Sequence, residues 1–451
     1  MKNISNDLGK GNVLNLFFKL STPAIIAQLV NMLYNMVDRI YIGRLPEIGS
    51  IALSGIGVAN PIIMLISSFA ALIGIGGSPL ASIALGANDK EKATNILNVS
   101  ASISIIIAIT LSIFIFIFLE PLLNLIGASE NNIEYSLVYS RIYILGSIAV
   151  MFSFGMNFFM AVQGFAKEAM FTTLLGAILN IILDPIFIFL FDLKVAGAAI
   201  ATIIAQIVSA IWVIKFLCSD KSFIKLNFKK FSLNWKILTP ILALGFSPFV
   251  MQSTESLLQI AFNRSLFKYG GDLYVSTMSI NFMVMQIIFL PLSGLSSGGV
   301  ALLSYNYGAR NFKRIKETLK VLISSSFIYG TILTSLIFIF PEIFVKLFTN
   351  DKKLIDATIP MMKVFIAGSF LMAVQTALQQ AFVAFGQAKR STFNALLRKI
   401  ILLIPLIYIL PQFIGDKIFA VYVSEPIADI IAAVVTCINF YLYFKEESKK
   451  I

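Results

Sequence analysis

Gln28, Asn31, Asn35 and Asp38 follow one another at steps of three, four and three, which sets all four on one stripe of a helix. The stretch that carries them, Leu20 to Arg44, is otherwise apolar. It is long enough to cross a bilayer, since about 20 helical residues span the hydrocarbon. A carboxylate at that depth is costly unless it faces protein or water, so Asp38 is a functional candidate. Adjacent Arg39 is an awkward partner, because neighbouring helical residues point about 100° apart. Asn180 and Asp184, four apart in the fifth apolar stretch, stack on one helix face, and Thr202 in the sixth adds a hydroxyl. Oxygen donors with one or two carboxylates suit a hard cation such as Na⁺, or a shared proton. Two carboxylates side by side cannot both stay charged cheaply, so one is expected to take up H⁺ or Na⁺ near neutral pH. The alternative for Asp184, directly before Pro185, is to cap a broken helix.

A second polar stripe, Gln252, Glu255, Gln259 and Asn263, lies in the seventh apolar stretch. Laid over the first, it sets Glu255 on Asn31 and leaves Asp38 opposite Phe262, so the two acids do not correspond. Glu425 and Asp429 are four apart in the last stretch, and Arg398 and Lys399 are adjacent in the one before. Arg398 is expected to pair with Asp429 as a structural ion pair, leaving Glu425 and Glu255 as free acids; pairing with Glu425 is the alternative. A cavity lined by Gln28, Asn31, Asn35, Gln252, Glu255, Gln259 and Glu425 attracts cations. Aromatic and methionine side chains suit planar lipophilic ones.

These residues need elements to hold them, and composition says which. Of 451 residues, 58% are hydrophobic and only 13% charged, against about 25% charged in soluble domains. The expected fold is all-α and integral to a membrane, with twelve transmembrane helices. They fall near 15–43, 51–76, 93–119, 133–159, 168–191, 195–218, 237–265, 273–303, 317–340, 357–383, 393–413 and 419–444. The net charge of +12 does not imply nucleic acid, because the basic residues sit in short loops between apolar runs. They concentrate in alternate loops, among them Lys2, Lys10, Lys90, Lys92, Lys389 and Lys450, so both termini are expected in the cytoplasm. The polar stretch from Met1 to Gly11 lacks the order of a cleavable signal. Cys218 and Cys437 lie in no motif, and no disulfide or metal role is expected of them. There is no histidine, no nucleophile–base motif and no phosphate-binding loop, so neither an enzyme nor an ATP-driven pump is expected.

The chain repeats itself. Gly164 to Ile178 matches Gly386 to Ile400 at 7 of 15 positions with an offset of 222, and Gly77 to Ala87 matches Gly299 to Ala309 at 5 of 11. Halves of six spans each enter the membrane in the same sense, giving two pseudo-symmetric six-helix lobes related by an axis along the membrane normal. The expected division is an N-lobe over 1–218, a cytoplasmic linker over 219–236 and a C-lobe over 237–451, with a substrate site between the lobes.

The run STPAIIAQLVNMLYNMVDRIYIGRL, NIILDP in the fifth span, YNYGARN after the eighth and SEPIADI in the twelfth resemble the MATE (multidrug and toxic compound extrusion) transporters. The likeness is to their bacterial MepA-like and DinF-like branch and covers nearly the whole chain. It implies a secondary antiporter of the bacterial cytoplasmic membrane that exports organic cations in exchange for Na⁺ or H⁺, without other cofactor and as a monomer. Its partners would be small-molecule drugs and membrane lipid. On the same resemblance, Asp38, Asn180, Asp184 and Thr202 match the N-lobe cation ligands, and Pro23 a proline at which the first helix bends. Glu255 matches the seventh-helix acid of the NorM-like branch. That branch's tenth-helix aspartate is Met372 here, which shifts coupling to the N-lobe. The competing reading is a flippase for lipid-linked precursors, whose cavity would need to be basic.

Overall fold

The computed structural model describes residues 8–231 and 233–449. Lys2, most of the polar amino-terminal stretch, Ser232 and Lys450 lie outside the described residues. All secondary structure among the described residues is helical. The first six spans are α1 (Val13–Gly43), α2 (Gly49–Gly86), α3 (Lys90–Ile117), α4 (Ile133–Leu145 with Ser147–Ala161), α5 (Ala166–Leu190) and α6 (Lys194–Cys218). A continuous helix then runs over Trp235–Gly308. Seventy-four helical residues would extend roughly 110 Å, far beyond a bilayer. Gly271, at φ 68° and ψ −164°, breaks it into α7 (235–270) and α8 (272–308). The remaining spans are α9 (Phe312–Ile339), α10 (Lys352–Phe365 with Ser369–Ala384), α11 (Ala388–Phe413) and α12 (Lys417–Glu447). The total is the expected twelve, and an even number of crossings brings both chain ends to one face.

The repeat holds down to single residues. Asn12 caps α1 and Asn234 caps α7, each accepting a backbone N–H in the first turn, and Asp89 and Asn311 do the same for α3 and α9. Each pair is 222 apart. A short helix follows α3 at Leu119–Ile126 and another follows α9 at Pro341–Lys346. α4 bends by 61° and its counterpart α10 by 48°. Gly164 and Gly386 both turn the chain into the next helix with positive φ, 90° and 69°, a conformation that only glycine adopts without strain.

The halves meet through glycines on the face that carries the termini. Gly86 lies against the carbonyl of Tyr305, and its counterpart Gly308 against that of Ile83. Gly76 packs on Ile241 and Gly245, Gly298 on Ser21, Gly245 on Leu72, and Gly294 on Ile25. The Gly86 and Gly308 contacts are reciprocal under the offset of 222, as a two-fold axis through the seam requires, while the others fall two residues off that register. The Ser21 hydroxyl donates to the Leu295 carbonyl at 3.3 Å across it. Arg314 donates to the carbonyls of Gly11 and Leu8 at 2.7 and 3.1 Å, tying the start of the chain to α9. α1 stays helical through Pro23.

The segment between the halves is docked on the first. Buried Gln163 accepts the backbone N–H groups of Phe223 and Ile224 and the Ser222 hydroxyl. Asn98 accepts from Asn227 and donates to Lys225. Near its start, the Lys225 ammonium beside Asp220 holds that exposed carboxyl below its usual range.

Candidate functional site

α1 packs on α5, and α5 on α6, so the Asp38 stripe turns toward the face that carries Asn180 and Asp184. Asp38 is 9% exposed and Asp184 not at all. Their carboxyl groups approach closely enough to interact directly. Asn180 stands between the acid and the hydroxyl: its amide donates to Asp184 Oδ1 at 3.1 Å and to Thr202 Oγ1 at 3.3 Å. Three oxygens of the group, Asp38 Oδ1, Asp184 Oδ2 and Asn180 Oδ1, are buried and accept no hydrogen bond from the described residues. Oxygens in that condition are rare because they cost free energy. Two negative charges and convergent oxygens offer a small hard cation or a proton a favourable place.

Neither competing reading of the acids fits this geometry. Among the described residues no ion pair joins Asp38 to Arg39, whose side chain is exposed. Asp184 does not cap a break, because the helix continues past Pro185 as a π-turn over Ile186–Leu190. Two phenols also belong to the group. Tyr34, one turn before Asp38, lines the adjoining cavity, and Tyr139 of α4 is buried close by. Tyr34 was legible as the i−4 neighbour on the acid's own face. Tyr139 carried no signal, since nothing local says that α4 approaches α1.

A cavity of about 70 Å³ adjoins the acids, lined among others by Asn31, Tyr34, Asn180, Thr202, Gly176 and Gln206. From Asn180 and Thr202 it runs along α5 and α6 toward the face with the termini. Ser153, on a π-turn of α4, hydrogen-bonds to Gln206 in its wall. Of the other stripe residues, Gln28 is half-buried and Asn35 is exposed, with its amide donating back to the Asn31 carbonyl at 2.6 Å.

The second half corrects two expectations. Arg398 bonds Asp429 through Nε at 2.6 Å and Glu425 through a terminal nitrogen at 2.8 Å, so both acids of α12 share one guanidinium. Glu425 is therefore a buried, 6% exposed member of the ion pair, not a free acid of the cavity. Glu255 is not free either: Lys399 pairs with it and also donates to the Met251 carbonyl at 2.6 Å. Residues on neighbouring helices, too far apart in sequence to be paired by spacing, made both contacts. Met372 lies 3.4 Å from Arg398 through its sulfur, so the acids facing this arginine come from α12, not α10. Gln252 is half-buried, with its carbonyl oxygen unpartnered among the described residues, Gln259 is exposed and Asn263 half-buried.

Arg398 thus holds two buried carboxylates, and its loss strands both. Arg398→Met is expected to destabilise the protein by about 3–5 kcal/mol, the usual cost of leaving buried charge unpaired. Thermal unfolding of the purified protein in detergent measures it. Adding Glu425→Gln and Asp429→Asn to the same variant should recover most of the loss, whereas exchanging Arg398 and Asp429 alone should not, since the new acid would face Glu425.

Comparison with known proteins supplies the remaining observation. The family model MatE matches the chain twice, over residues 23–186 and 248–409. The multidrug export protein MepA of Staphylococcus aureus is 27% identical over 428 residues, 94% of each chain. Among solved structures, an outward-facing multidrug resistance MATE family transporter of the MOP superfamily superposes with a TM-score of 0.92, at 24% identity over 99% of each chain. So does a MOP superfamily transporter of Pyrococcus furiosus, whose description assigns it a binding pocket of reversed polarity and a different function, again at 0.92 and 24%.

Proposed function

The chain belongs to the MatE family, and from that premise we propose that it is a secondary active antiporter that exports lipophilic organic cations in exchange for Na⁺ or H⁺. The observation that carries this reading is the buried Asp38–Asp184 pair with Asn180 and Thr202 beside it, the latter two in the wall of a cavity. The relatives named as multidrug exporters support the substrate class. Both termini lie in the cytoplasm of a bacterial cell, as the basic loops require, and the glycine seam then closes the cytoplasmic side of a monomer. Drug enters from the cytoplasm or inner leaflet when the seam is open and sits between the lobes. Na⁺ or H⁺ arriving from outside neutralises the acid pair and releases it.

A ligand shifts a conformational equilibrium only by its differential affinity for the two states, and neutralising a buried charge pair supplies that difference. Exchange of one ion for one monovalent drug moves no net charge, so the membrane potential contributes only at other stoichiometries. A lipid-precursor flippase needs a basic cavity for pyrophosphate; here the buried basic residues Arg398 and Lys399 are both engaged by acids. The test is ethidium flux in proteoliposomes under Na⁺ and pH gradients imposed separately. Flux driven by one of the two supports antiport; flux indifferent to both overturns it.

A further inference from the structure

The offset of 222 sets Arg398 and Lys399 where the first half has Gly176 and Ala177. Those two small residues line the N-lobe cavity. In the second half the residues at those positions are both long and cationic. They sit on a π-turn, Leu397–Leu403, from which one helix serves two neighbours, sending Arg398 to α12 and Lys399 to α7. Arg398 is locked by two acids. Lys399, 3% exposed, reaches one carboxylate and one carbonyl.

Glu255 has Lys399 behind it and open space before it: its side chain is 37% accessible. The face of α7 beside it looks across to the first half. Ser256 lies 3.9 Å from the Met64 sulfur, and Phe249, two turns before, packs on Phe69 at 4.9 Å between ring centroids. Glu255, one residue around α7 from the face that meets the first half, is therefore a partly accessible carboxylate whose charge is already answered from within the lobe.

We infer that Lys399 is a tethered competitor for organic cations at Glu255. This rests on the exporter reading and names the residue that sets its charge selectivity. A drug ammonium reaching Glu255 exchanges with the lysine ammonium, while an uncharged amphiphile binds without that exchange. Lysine suits the part: it is a compact charge on a flexible stem, and the Met251 carbonyl holds it when it leaves the carboxylate. Arginine would clamp the acid on two atoms.

Equilibrium binding of ethidium and of uncharged Nile red to the full-length protein in detergent tests this by fluorescence anisotropy. Lys399→Gln is expected to tighten ethidium binding roughly tenfold, the scale of one partly screened charge pair, with Nile red unchanged. Glu255→Gln in the same chain should abolish the gain. Lys399→Arg should weaken ethidium and leave Nile red alone, and it decides the matter should Lys399→Gln not fold. Unchanged or weaker ethidium binding by Lys399→Gln, equal shifts for both dyes, or a gain that survives Glu255→Gln overturns the inference. Failure of the unmodified protein to bind ethidium overturns the exporter reading and this inference with it.

Discussion

Proteoliposomes carrying Asp38→Asn are expected to show no ion-driven ethidium transport, a loss of at least about 100-fold, while the protein still inserts and unfolds cooperatively. The substitution keeps the size of the side chain, removes its charge and exchanges one acceptor oxygen for a donor amide. What disappears is the difference between ion-bound and ion-free states, and without it the ion gradient cannot bias the two conformations. Each tenfold drug gradient requires about 1.4 kcal/mol, so even partial loss of the difference lowers the attainable gradient steeply. Asp184→Asn should behave in the same way, because the two acids adjoin and Asn180 bridges Asp184 to Thr202. Asn180→Ala removes a donor as well as an unpartnered oxygen and should weaken coupling without abolishing it. Wild-type transport by Asp38→Asn would rule out coupling through the acid pair. A normal Asp184→Asn beside a dead Asp38→Asn would mean that one acid acts alone.

The second large effect concerns the seam. Gly86→Val or Gly308→Val sets a branched side chain where each glycine meets a carbonyl of the other half. Backbone cannot give as a flexible side chain does, so the lobes must separate there. An overpacking penalty of about 1–3 kcal/mol would move a two-state equilibrium roughly 5- to 150-fold toward the form with this face open. Glu91 and Lys313, exposed at the starts of α3 and α9 and 222 apart, report the motion. With Cys218 and Cys437 replaced, spin labels at 91 and 313 should show the distance distribution shifting to longer values in either glycine variant. Net transport falls while ethidium still binds. An unchanged distribution in a folded Gly86→Val protein would show that the seam is not the closing surface. Pseudo-symmetry adds a stringent check: the two variants should act alike, because Gly86 and Gly308 make the same contact from opposite sides.

The sequence by itself determined the number and order of the spans, because hydrocarbon thickness and helical rise leave little freedom in how an apolar stretch is used. It determined the twofold plan, since the repeat at 222 carries caps, bends and positive-φ glycines with it. It also singled out Asp38 and Asp184 as candidate site acids: a helical stripe and an i, i+4 pair are local patterns, and burying a charge in a span announces itself. What it left open lies between helices. Spacing could not say that Arg398 would take both Glu425 and Asp429, nor that Lys399 would reach Glu255 more than 140 residues away. The π-turn that directs those two bases to different neighbours leaves no mark in hydropathy. Tyr139 and the glycine seam were hidden for the same reason. Local periodicity fixes which way a side chain leaves its own helix, whereas the partner it meets depends on which helices pack together, and only the tertiary structure decides that.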